Sequence, residues 1–131
     1  MRALVLSISF IALSSPFSFA QSAEEPDLVV ELRHEIKKMD LDHPDKDAAR
    51  HLRRGDSRFL GIYGYSVTFP GTPDDLASWK LVREHGFRGI AGTADTVFGP
   101  EHRRLIDVAT RYAERYNRYI WSHISKEKEK T

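Results

Sequence analysis

Cysteine is absent from the 131-residue chain, which removes disulfides, thiolate nucleophiles and every Cys-based zinc site. Asparagine occurs once, as Asn117 before Arg118 and Tyr119, so no N-glycosylation sequon exists. No apolar run reaches the roughly 20 residues of a membrane-spanning helix. H-E-x-x-H, G-x-S-x-G, G-x-G-x-x-G and the Walker lysine loop are missing too, which disfavours the common motif-bearing enzyme classes. Charge of one sign is also lacking. Lys and Arg number 20 against 19 Asp and Glu, without the positive surplus by which nucleic-acid binders displace phosphate counterions.

What is present begins with an export signal. Residues 1–20 carry one charge, Arg2, then the apolar run Ala3 to Leu13, then Ser18 and Ala20 placed as a signal peptidase requires. Cleavage after Ala20 is expected, giving a periplasmic or secreted protein whose residues 21–131 form one globular domain with equal numbers of basic and acidic side chains. No Cys follows the cleavage site to carry a lipid. A chain of this size can stabilise itself by its core alone.

Hydrophobic spacing orders that domain. Leu28, Val29, Leu32, Ile36 and Met39 share one helical face, so Pro26 to Met39 reads as an amphipathic helix. Pro44, Asp45 and Asp47 suit the start of a second helix, and Arg50, Arg53 and Arg54 before Gly55 suit its end. Arg58 to Pro70 alternates with period two and reads as a strand bent at Gly61 or Gly64. Thr72-Pro73-Asp74-Asp75 predicts a helix start capped by the Thr72 hydroxyl, and Gly86 predicts its stop. Phe87 to Ala91 reads as a second strand, parallel to the first because a helix intervenes. Gly99 opens a long helix whose apolar arc runs from Leu105 through Tyr112 and Tyr116 to Ile124, with residues 126–131 as a frayed tail. The fold class is α+β, or small α/β: two short strands in a βαβ-like unit, packed by a long C-terminal helix and two or three shorter helices.

The most site-like stretch is Gly89 to His102. It leaves a strand through a Gly/Thr/Asp loop and enters a helix N-terminus, where open α/β sheets place ligands. Thr93, Asp95, Glu101 and His102 are the candidate ligand-binding residues, and Asp95 with His102 the candidate acid/base pair. The alternative is that Asp95 holds the loop and His102 is a satisfied core histidine, bonded to Asp95. Six His and the cluster Asp40, Asp42, Asp45 and Asp47 invite a metal, but no His pair has helical ligand spacing and Pro44 interrupts any calcium loop. No metal or cofactor is expected. Arg50, His51, Arg53, Arg54 and Arg58 form a basic cluster that reads as helix-dipole compensation, and Arg54-Gly55-Asp56 as a helix stop rather than an adhesion motif. Trp121 lies beside the apolar arc of the last helix and needs cover, either from Pro26 to Met39 or from a partner.

These features point to a small exported bacterial protein of non-enzymatic type that binds another protein or an envelope component. The alternative is a small-ligand or hydrolytic site at the loop Gly92 to His102. Nucleic acid is not an expected partner, and no integral membrane segment remains once the signal is cleaved.

Overall fold

The computed structural model describes residues 26–64, 66–92 and 97–130. The expected signal, residues 1–20, lies outside them. Four helices and a three-stranded sheet follow in the order α1 (Asp27–Lys37), α2 (Pro44–Arg54), β1 (Phe59–Tyr63), β2 (Val67–Thr68), α3 (Leu76–His85), β3 (Phe87–Ile90) and α4 (Gly99–Lys130). This is the small α+β arrangement the sequence implies, with the long last helix packed on the sheet.

Each helix forms for a reason visible in its residues. Val29 and Leu32 are the buried positions of α1. Pro44 opens α2, and Gly55 closes it in the left-handed conformation at φ 76°, its N–H bonding to Leu52 and that of Asp56 to His51. In α3 the cap is Asp75, whose carboxylate accepts from the Ser78 N–H at 2.7 Å. This corrects the assignment of that role to Thr72, whose hydroxyl instead donates to the Phe69 carbonyl and closes the preceding turn. The backbone of α4 stays helical to Lys130, through the segment where fraying was expected.

Strand order is β2-β1-β3. β1 and β3 run parallel from Phe59↔Phe87 to Ile62↔Ile90, as the intervening helix requires. The run Arg58 to Pro70 is not one bent strand, however. It folds back after Gly64, so that β2 pairs antiparallel with β1 at Ile62↔Thr68 and Tyr63↔Val67. One face of the sheet carries Leu60, Ile62 and Ile90 into a core with Val29, Leu32, Ala48, Leu105, Ala109, Tyr112, Ala113, Tyr116 and Ile120.

Asn117, fully buried on α4, joins the layers. Its amide oxygen accepts from the Leu60 N–H at 2.7 Å, and its amide nitrogen donates to the carbonyls of Leu60 and Pro70 at 2.8 and 2.9 Å. Since β2 pairs no further back than Ile62, the Asn117 side chain supplies β1 with the partners a neighbouring strand would otherwise provide.

Candidate binding surface

The second face of the sheet holds Phe59, Gly61 and Tyr63 from β1 and Phe87 and Gly89 from β3, because side chains alternate along each strand. Gly61 and Gly89 stand opposite one another. Their missing side chains leave a flat floor on which larger neighbours lie. A Cβ on Gly89 would sit 1.8 Å from the Tyr63 ring, and one on Gly61 would meet Val67 and Phe69 at 2.9 and 3.0 Å. Phe69 then contacts Phe87 edge-on with centroids 5.2 Å apart, and Trp79 of α3 completes a trio at 5.5 Å from Phe69 and 6.1 Å from Phe87.

This aromatic cluster is not sealed. Trp79 is 40% exposed, Phe87 39% and Tyr63 42%, because α3 covers the Phe59 end of the face, where Val82 is buried, and leaves the rest to solvent. Beside the cluster, a cleft of about 690 Å³ opens between the β2–α3 connection and α3, walled by Val67, Phe69, Leu76 and Trp79. Its rim carries Asp74 and Asp75. The hydroxyl and N–H of Ser78 hold the Asp75 carboxyl below its ordinary range, so this group is engaged as a cap. The lining mixes those apolar side chains with the polar residues Ser66, Thr68, Thr72, Asp74 and Asp75.

The residues singled out from the sequence fall elsewhere. Thr93 and Asp95 lie outside the described residues. His102 is fully buried, with Nδ1 accepting from the Phe98 N–H at 2.9 Å and Nε2 2.6 Å from the Gly92 carbonyl, so the proton is on Nε2. Backbone groups bond both nitrogens, and the Phe98 ring stacks on the imidazole. His102 thus ties the start of α4 to the end of β3. Glu101 is exposed and forks onto Arg104 at 2.9 and 3.0 Å.

Trp121 is half-buried against Phe59, with centroids 6.4 Å apart, and walls a shallow groove with Ala77 and Leu81 of α3. Its cover therefore comes from β1 and α3, not from α1. That helix docks at the opposite end of α4, where Arg33 lies 3.9 Å from Glu101, roughly 30 Å along the axis from Trp121.

The acidic and basic clusters resolve into structural bonds. No group of three metal-ligating side chains occurs among the described residues. Asp47 is buried, accepting from the Tyr112 hydroxyl, the Asp40 N–H and Arg50. Burial pushes its carboxyl up, but these bonds outweigh burial and hold it below its ordinary 3.8. Asp45 pairs with Arg115, and His51 bonds the Tyr116 hydroxyl at 2.6 Å. Burial pushes the hydroxyls of Tyr112 and Tyr116 up, that of Tyr116 to about 12. One further pair has catalytic geometry: Ser57 Oγ lies 3.0 Å from His85 Nε2. Ser57 is only 2% exposed, and the pair fastens the α2–β1 connection to the end of α3.

No family model, curated protein or solved structure matches the chain. No described helix is long and apolar enough to cross a membrane. The functional reading thus rests on the surface itself. Sequence spacing placed Phe69, Trp79 and Phe87 on separate elements, and the available signal was the pairing of Gly61 with Gly89 in strands of matching register.

Proposed function

We propose that the protein is a small exported bacterial protein of non-enzymatic type that binds another protein through the aromatic face built by Tyr63, Phe69, Trp79 and Phe87. The observation that carries this reading is the exposure of Trp79 and Phe87 within one contiguous cluster. Large aromatics left in water cost hydration free energy that a partner recovers, and Trp and Tyr dominate the energetics of protein interfaces. Export is supported by the leader at residues 1–20, and a domain without cysteine is indifferent to the redox state outside the cytoplasm. The alternative site at Gly92 to His102 would need a base other than His102, whose nitrogens both serve the backbone.

A photo-cross-linking residue introduced at Trp79 tests the proposal in cells exporting the protein. The expected result is a discrete cross-linked product that does not form from Lys46 on α2 and is lost on adding Phe87→Ser. Equal labelling from both positions, or a product unaffected by Phe87→Ser, overturns it. The same sample gives the mature N-terminus by intact mass, expected at Gln21.

A further inference from the structure

The central strand β1 is bonded on both of its sides, whereas β3 is bonded on one. On the β2 side, the peptide groups of β1 that face outward belong to Leu60 and Ile62. Ile62 is paired with Thr68, and Leu60 is met by the Asn117 amide. On the β3 side the outward groups belong to Phe87 and Gly89. The Phe59 N–H donates to the Gly86 carbonyl at 3.0 Å, and a parallel ladder continuing from that bond turns Arg88 toward β1 and its two neighbours away. Phe87 and Gly89 are exposed, and among the described residues their N–H and C=O groups have no partner. An open row of donors and acceptors is a template for an incoming strand.

The surroundings state what that strand must look like. Its side chains would alternate, one set over the aromatic face at Phe87, Tyr63 and Trp79, the other set toward α1. There, Glu31, His34 and Glu35 border a small cleft of about 220 Å³ together with Gly89 and Ala91. Glu35 is already paired with Arg88 and Lys38. Glu31, one turn earlier and exposed, has no cation among the described residues.

We propose that β3 is the docking edge for an extended segment of a partner protein that alternates apolar and basic residues. The apolar set lies over the aromatic face, a Lys or Arg meets Glu31, and Phe87 and Gly89 supply the main-chain hydrogen bonds. The inference rests on the binding-protein reading above and adds to it the partner's conformation and charge.

The probe is an acetylated, amidated heptapeptide of alternating Lys and Val, with a Glu/Val peptide as control, titrated into the isotope-labelled protein while amide exchange and the Trp79 indole signal are followed. The expected result is slowed exchange at the Phe87 and Gly89 amides with the Lys/Val peptide. Glu31→Lys should weaken that binding by about threefold or more and reverse the preference toward the Glu/Val peptide. Binding that shifts the Trp79 signal without slowing Phe87 and Gly89 overturns the docking edge while leaving the aromatic surface in place. Absence of binding at millimolar peptide also overturns it. Self-association that protects the same two amides without peptide overturns it as well, and assigns the edge to a second copy of the chain.

Discussion

Asn117 ties two segments of the sheet layer to α4. Its amide satisfies one donor and two acceptors on two separate segments while fully buried. Asn117→Leu keeps the volume but strands the Leu60 N–H, the Leu60 carbonyl and the Pro70 carbonyl. Each of the two buried Leu60 groups costs about 1 to 3 kcal/mol when orphaned, so a loss of about 2 kcal/mol or more is expected in the urea-unfolding free energy. A loss under about 1 kcal/mol would mean that water replaces the amide. Spacing of apolar residues does not single out Asn117, although it lies among Ala113, Tyr116 and Ile120 on the buried side of α4. A polar residue inside an apolar arc is the legible signal, and it was enough to place His102 at a buried position. The partners of both residues were not legible, since they are backbone atoms whose positions depend on the path of distant loops.

Among the elements, the connection from β2 to α3 is the most constrained. Gly71 adopts φ 89°, and a Cβ there would lie 2.2 Å from the Glu114 carbonyl of α4. The turn at Phe69 to Thr72 is thus pressed against the long helix, and the Thr72 hydroxyl is engaged in closing it. Gly71→Ala combines a left-handed backbone with a clash against helix backbone, and should cost more than about 2 kcal/mol, read as a fall in Tm. Gly55→Ala is the comparison, because Gly55 shares the positive φ but has open space around it. It should cost less. Ends such as Pro44 and Gly55 were legible because local chemistry sets them. Gly64 was legible as a bend, but the full reversal there was hidden because Tyr63, Tyr65 and Val67 keep the same alternation across it. Trp121 was read as needing cover from the helix Pro26 to Met39 or from a partner, and which element packs against it is a matter of tertiary packing.

At the scale of the whole molecule, the half-buried His85 and the carboxylates of Asp47 and Asp75 bear on the response to acid. Burial, and next the Arg58 charge, push the His85 imidazole below its ordinary 6.5 despite the bond with Ser57. The carboxyl of Asp47 lies below 3.8. In each case the unfolded chain takes up protons first as pH falls, so stability is greatest above about pH 7, declines as pH drops below about 6.5 on account of His85, and declines again below about 4 on account of Asp47 and Asp75. His85→Gln, whose amide oxygen can still accept from Ser57, should remove the first decline and leave the second, measured as urea midpoints across pH. An unchanged profile would place the titration elsewhere. The helix α4 also bears on how the chain comes to be folded. It supplies Leu105, Ala109, Tyr112, Ala113, Tyr116 and Ile120 to the core, together with Asn117 and His102, and it follows every strand in chain order. The segments made before it can bury little on their own. The core therefore cannot close until residues through Ile120 are available, so assembly of the domain waits on its last described helix.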